Sequence, residues 1–387
     1  MKTYTVDYES IPGSLLAGQR LRSVEDLVPG ATIQHFALGR AALLWLCQAM
    51  GWGAGDRVLV PSFACYSIVS PFIEAGLTPV FYSVKEDLSV DVDELAGLAR
   101  QGVRCGLIIH YFGWLQAPRV RRWLAAQTGP TVFIEDLSHA LFTAMRSSAT
   151  VASGQVALTS YRKLMPCPDG STLIFRDAPQ ATAMNTPLGH RYRAHGIVRS
   201  MTMRAAGVVE RAGPAALLAA PVFASMQRTL KRWRIGAPVG VGPMSGLSRR
   251  VIERFPIDDA VASRRRNATH LASRLRMIPG CAMLMPDLDD HTVPMALPVR
   301  VRARADVERA LRARGVLTQH LWPLPPDVQS EAFPASARLA DEVLCFPVDE
   351  RYDADDMDAI ADTLKEAVRA VGYASTQAGR AGRVVAH

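Results

Sequence analysis

Only five of the 44 basic residues are lysines: Lys2, Lys85, Lys163, Lys231 and Lys365. A primary amine can lose its proton and condense with a carbonyl to a Schiff base; a guanidinium cannot. Lys2 is terminal and Lys85 stands in an acidic turn. Lys231 sits in a basic run, and Lys365 falls on the polar face of a helical pattern. Lys163 follows an apolar, β-branched stretch that belongs in a core. Burial there, with Arg162 beside it, would lower its pKa and ready the amine for attack. In Ser160-Tyr-Arg-Lys163 the serine hydroxyl can bind a phosphate while the amine reaches a carbonyl.

Three further segments carry complementary chemistry. Phe133-Ile-Glu-Asp-Leu-Ser-His139 delivers Asp136 to the end of an apolar strand, with His139 three residues on. A carboxylate there can keep a heterocyclic nitrogen protonated, and the imidazole can donate to a phenolic oxygen. Gly39, Arg40 and Ala41 open an apolar helix, whose first N–H groups and positive dipole end suit a phosphate. Pro61-Ser-Phe-Ala-Cys-Tyr66 offers Phe63 and Tyr66, either of which could stack on a flat ring. Singly, these segments also read as a helix start and a capping aspartate. Together, an amine, a carboxylate, a phosphate cradle and an aromatic match pyridoxal 5'-phosphate (PLP), with Lys163 as its Schiff-base residue.

These residues need elements to hold them. Apolar runs at 57–60, 78–84, 107–110, 131–135, 156–161 and 172–175 read as strands. Helical patterns fall at 41–50, 66–75, from the capping pair Asp91/Glu94 to about 101, and at 118–127. Apolar strands alternating with helices predict an α/β fold with a mainly parallel sheet covered on both faces. Ligands collect at the carboxyl ends of such strands, where Ser62, His110 and Asp136 fall. After residue 247 the reading is a long helix through Arg264-Arg-Arg266, strands at 281–285 and 293–301, and helices at 305–314 and 354–371. The expected organisation is an N-terminal segment at 1–30, a large domain at 31–245 and a small α+β domain at 246–373. The tail, 374–387, is expected to be disordered.

The chain has 387 residues, a size for one large and one small domain. Ten Arg/Lys against two acids between Phe175 and Pro238 equal the whole net charge of +8. This basic stretch, about 176–240, reads as an insert, with an amphipathic helix at 223–235. It could be a solvated or dimer-contact helix, a lid over an anionic substrate, or a peripheral membrane contact. No nucleic-acid module accompanies the charge. No apolar run reaches the roughly 18 residues of a membrane span, and no signal peptide is seen. The six cysteines are scattered without C-x-x-C spacing, which predicts reduced thiols in a cytoplasmic protein and no metal site.

In order and spacing the segments resemble the DegT/StrS-type aminotransferases, fold-type I PLP enzymes acting mostly on nucleotide-linked keto-sugars. The matching stretches are Gly39-Arg-Ala-Ala-Leu43, Asp56–Ser62, Ala75–Phe81, Ile109-His-Tyr-Phe-Gly113, Phe133–Asp136 and the lysine strand. Met244-Ser-Gly-Leu247 and Arg264-Arg-Arg266 resemble the entry to the family's small domain. The resemblance implies a seven-stranded sheet, a homodimer, and a site built from Lys163, Asp136, His139, Arg40, Ala41 and Ser160. His139 stands where the family has Gln, and the family's ring-stacking aromatic would fall near Cys65. A Gly-x-Asn-x-Arg motif is absent, with Val241 and Pro243 in its place. The implied activity is transfer of an amino group, by analogy from glutamate, to a keto-sugar-like or other anionic ketone. Other PLP chemistry, a carrier-bound or non-sugar ketone, and a non-catalytic scaffold stay open as alternatives.

Overall fold

The computed structural model describes residues 2–21, 25–27, 32–147, 154–175, 201–203 and 240–384, with side chains to Gly372. Lys231, the expected helix at 223–235 and nearly all of the basic stretch lie outside the described residues.

The chain opens with β1 (Tyr4–Thr5), α1 (Gly13–Ala17) and a 3-10 turn at Glu25–Leu27. Seven strands then build one sheet: β2 (Thr32–Phe36), β3 (Arg57–Pro61), β4 (Thr78–Tyr82), β5 (Cys105–Ile109), β6 (Val132–Asp136), β7 (Val156–Ser160) and β8 (Ser171–Phe175). Their order is β2-β8-β7-β6-β5-β3-β4. The pairs among β3 to β7 are parallel, while β8 runs antiparallel to both β7 and β2. β5, β7 and β8 are buried at every position, as strands covered on both faces should be. β2, with its polar Gln34 and His35, escaped the sequence reading; it is the antiparallel edge.

The intervening helices are α2 (Gly39–Ala49), α3 (Tyr66–Glu74), α4 (Val92–Ala99), α5 (Pro118–Ala125) and α6 (Leu141–Arg146). Trp45 of α2 lies edge-on to Phe175 of β8, and Trp123 of α5 edge-on to Phe133 of β6. Asp91 caps α4 by accepting from the N–H groups of Asp93 and Glu94. Glu94 does not complete a capping box; it accepts instead from the N–H and hydroxyl of Ser83.

Beyond the sheet lie α7 (Gly246–Arg254) and α8 (Ile257–Leu275). The sequence predicts one long helix here. Pro256 splits it, since the residue before a proline favours extended backbone, and Phe255 has ψ 127°. β9 (Cys281–Met283), β10 (Leu297–Val301) and β12 (Val343–Phe346) form an antiparallel sheet in the order β12-β10-β9. α9 (Arg304–Ala313), α10 (Pro334–Glu342) and α11 (Ala354–Val384) complete this part, and β11 (Val316–Leu317) pairs in parallel with β1. The expected strand at 293–301 starts four residues late. Val293 N–H donates to Thr143 Oγ1 and Met295 N–H to the Phe112 carbonyl, so this stretch binds the first sheet's loops instead. α11 continues to Val384 through the tail expected to lack structure. That tail has four Ala and two Arg, which favour helix, and no proline, and these outweigh Gly379 and Gly382. No helix among the described residues is long and apolar enough to cross a membrane.

Candidate active site

β6 ends at Asp136, which pairs in register with Ile109 of β5 and Leu158 of β7. The carboxyl group therefore stands at the sheet's carboxyl edge, and it is buried. Oδ1 accepts from the Ser138 N–H at 2.8 Å. Among the described residues no group donates to Oδ2, which leaves one lone-pair face for a ligand N–H.

Strand alternation turns Glu135 to the opposite face. There it accepts from Gly154 N–H and pairs with His110 at 3.0 Å. His110 Nδ1 accepts from the Gln116 N–H, so its proton sits on Nε2 and is donated to Glu135. His110, at a strand end, thus belongs to the opposite face and not to the Asp136 cluster. Ser62 is likewise engaged elsewhere, with Ser336 at 2.8 Å.

The chain leaves β7 at Ser160 and turns through a 3-10 segment, Tyr161–Lys163. The Lys163 amine reaches His139 Nε2 at 2.8 Å. His139 Nδ1 accepts from the Phe112 N–H at 3.3 Å. A neutral imidazole accepting at Nδ1 carries its proton on Nε2. Nε2–H therefore donates to the Lys163 lone pair, which requires an uncharged amine. The electrostatics agree. Burial lowers the Lys163 pKa, partly countered by the charge of Asp136. Burial and the neighbouring lysine hold His139 well below its ordinary value.

The lysine turn is fastened to the start of α2. Tyr161 N–H donates to the Gly170 carbonyl, and Gly170 N–H to the Ala37 carbonyl at 2.7 Å. Gly170 has φ +115°, a conformation that favours glycine. Leu38, at the N-cap of α2, offers no side-chain acceptor to the first turn. A Cβ on Gly39 would lie 3.6 Å from both Leu158 and Ser171 Oγ, so the helix start sits against β7 and β8. Ala41 is fully buried and Arg40 half-buried. Ser171 faces Ser160 in register, and the buried Ser160 hydroxyl makes no hydrogen bond among the described residues. An uncapped helix start beside a spare hydroxyl has the donors that a phosphate needs.

Of the two aromatics offered for stacking, Phe63 is buried at the site and Tyr66 is 44% exposed on the first turn of α3. Phe63 has ring neighbours in Tyr111 at 5.8 Å and Trp322 at 5.4 Å. Cys65, the N-cap of α3, approaches Ser67 Oγ at 3.0 Å. Trp322 went unnoticed in the sequence. It stacks on His139 and Phe112 and lies 5.9 Å from the Lys163 amine. Phe112 has φ +56°, an unusual backbone for an aromatic, and this aims its N–H at His139. No group of three or more metal-ligating side chains occurs among the described residues.

The pattern of the DegT/DnrJ/EryC1/StrS aminotransferase family matches residues 35–231 and 247–365. A dTDP-4-dehydro-2,3,6-trideoxy-D-glucose 4-aminotransferase of Saccharopolyspora spinosa is 22% identical over 345 residues, 85% of this chain and 83% of that protein. A GDP-perosamine synthase of Vibrio cholerae is 27% identical over 124 residues, 32% of this chain and 34% of the synthase. The chain thus matches about a third of that relative's length. The solved structure of NtdA from Bacillus subtilis, with bound cofactor PMP, has a TM-score of 0.61 at 15% identity, covering 87% of this chain and 73% of that one.

Proposed function

This chain belongs to the DegT/DnrJ/EryC1/StrS aminotransferase family, and we propose that it transfers an amino group to a keto-sugar-like acceptor with PLP as its cofactor. The observation that carries the reading is the contact between Lys163 and His139 beside the half-engaged carboxylate of Asp136. PLP, when bound, supplies an electron sink and a carrier for the amino group.

The chain's own residues divide the remaining work. Lys163 would hold the cofactor through Nζ, and its uncharged amine is placed to take and return a proton at a substrate carbon. Asp136 Oδ2 would accept from the cofactor's ring nitrogen and favour its protonated form. His139 Nε2–H, aimed at the lysine, would donate to the phenolic oxygen. The N–H groups of Gly39, Arg40 and Ala41 and the Ser160 hydroxyl would hold the phosphate, where the α2 dipole favours negative charge. Phe63 is buried and would wall the ring; Tyr66, being exposed, fits a substrate-side contact better than a stacking one.

The keto-sugar acceptor rests on the names of the two relatives, both enzymes of sugar amination or perosamine synthesis by their titles. Glutamate as donor and a homodimer are what the family resemblance implies; the free cysteines fit a cytoplasmic location. We further read residues 31–245 and 246–373 as a large and a small domain.

The test is the absorbance spectrum of the purified protein with added PLP, for wild type and Lys163→Ala, before and after glutamate. The wild type is expected to show the band of lysine-bound cofactor, bleached by glutamate, and Lys163→Ala no such band. A wild type without the band would overturn the cofactor reading. A band that glutamate leaves intact would overturn the donor.

A further inference from the structure

Trp322 lies 159 residues beyond Lys163 in sequence, in the connection between β11 and α10, and the fold returns it to the lysine. Its ring centroid is 5.3 Å from that of His139 at an interplanar angle of 24°, and 6.1 Å from Phe112 at 15°. Phe63 and Tyr111 flank it at 5.4 and 6.1 Å. The Lys163 amine lies over its face. The indole is 7% exposed, whereas the lysine itself is half-buried.

Three rings, those of Phe112, His139 and Trp322, therefore stack in a triangle. The imidazole has one backbone bond, from the Phe112 N–H, to fix its position. A single bond at Nδ1 leaves the ring free to rotate about it, and rotation would swing Nε2 off the amine. A near-parallel indole removes that freedom. The same indole occupies space that water would otherwise take beside Nζ, and loss of that water penalises the ammonium and favours the neutral amine by more than attraction to the ring face favours the cation.

We infer that Trp322 is a positioning residue of the lysine site, holding the His139 plane and covering the Lys163 amine from solvent. The inference rests on the reading of Lys163 as the cofactor lysine, and it gives residues far along the chain a part in that site. The titratable and charged groups that face the amine are Asp136 from β6, the Cys65 thiol from the N-cap of α3, Arg162 from its own turn and Asp7 from the N-terminal segment, with His139 in direct contact. Trp322 adds no charge to this set; it changes the medium in which the set acts.

Five lysines make the test direct. The full chain, freed of cofactor, is grown with lysine carrying 13C at the ε carbon, and the five resonances are followed against pH. Lys163→Ala identifies its own signal by loss. In the wild type that signal is expected to titrate below the other four. Trp322→Phe, which keeps a ring, should leave it low. Trp322→Ala should move it up toward the rest and weaken PLP binding. Should Trp322→Ala fail to fold, Trp322→Leu keeps bulk without the stacked face and should shift the signal in the same direction by less. A Lys163 midpoint unchanged in Trp322→Ala and Trp322→Leu would overturn the inference. Because this titration needs no cofactor, a wild type that takes up no PLP would overturn the functional reading separately.

Discussion

His139 is the residue on which the site's protonation turns. Its Nδ1 is committed to a backbone N–H, so its single proton must face Lys163. Protonating the ring would break that bond and bury a charge beside the amine. Burial and the lysine accordingly hold its pKa well below the ordinary 6.5. The linkage has a definite sign. Between the two values the unfolded chain binds a proton that the native ring refuses, so stability falls as pH drops below about 6.5. Above it, the imidazole is neutral in both states and the effect vanishes. Urea unfolding of wild type and His139→Gln should show the difference. The wild type should lose ground relative to the variant by up to ~1.4 kcal/mol per pH unit of acidification, within the window between the two pKa values. Parallel curves for the two proteins from pH 7 to pH 5 would refute it.

At the scale of elements, helix ends account for several boundaries. Asp91 accepts two first-turn N–H groups of α4, and Ser245 accepts from Ser248 at the start of α7. Ser245 also joins the lysine turn, because its hydroxyl donates to Asp169 at 2.8 Å. Burial raises the Asp169 carboxyl above its usual range despite these donors. α4 is remote from Lys163, so its cap isolates local stability from chemistry. Asp91→Ala is expected to lower unfolding free energy by about 1 kcal/mol, the usual worth of such a cap. Cofactor binding and turnover should stay at wild-type levels. A loss of activity at temperatures where the variant is folded would show that α4 matters beyond its stability.

Across the whole molecule, Arg264 of α8 ties the ends of the chain to the lysine turn. It is 1% exposed, and its guanidinium donates to the carbonyls of Pro294, Met295 and Leu164 and to the Tyr8 hydroxyl. Tyr8 OH in turn contacts Glu350 at 2.5 Å, and Glu350 lies 3.5 Å from the guanidinium. Leu164 is the residue after Lys163, so N-terminal segment, α8 and the turn after β12 converge one residue from the Lys163 amine. Removing one partner of a buried ionic network strands the other. Arg264→Ala should therefore cost about 3–5 kcal/mol, and Tyr8→Phe about 1–2 kcal/mol. The double variant should lose less than the sum, since both act on Glu350 and Leu164. Chemical denaturation of the four proteins checks this, and strict additivity would show two independent contacts. The junction is close-packed elsewhere too. Gly113 has φ +115°, and a Cβ there would lie 2.3 Å from the Val293 carbonyl oxygen.

The sequence by itself determined six of the first sheet's seven strands and the edge at which they end. Apolar runs buried on both faces have one stable arrangement, and strand ends deliver Asp136 and Ser160 wherever such a run stops. Lysine scarcity did the same for Lys163, since the other four positions read as terminal, polar or basic surroundings. Local signals were weaker where a tertiary partner overrode them. Glu94 left its capping box for Ser83, residues 293–296 left their strand for the loops of the first sheet, and Tyr66 remained on the surface while Phe63 went inside. Tertiary structure alone decided that His110 faces Glu135, that Arg264 reaches Leu164, and that Trp322 stacks on His139. No periodicity or motif marks such contacts, because they join residues 25 to 183 positions apart. Short-range pattern records which face of an element is apolar; only chain return decides what that face meets.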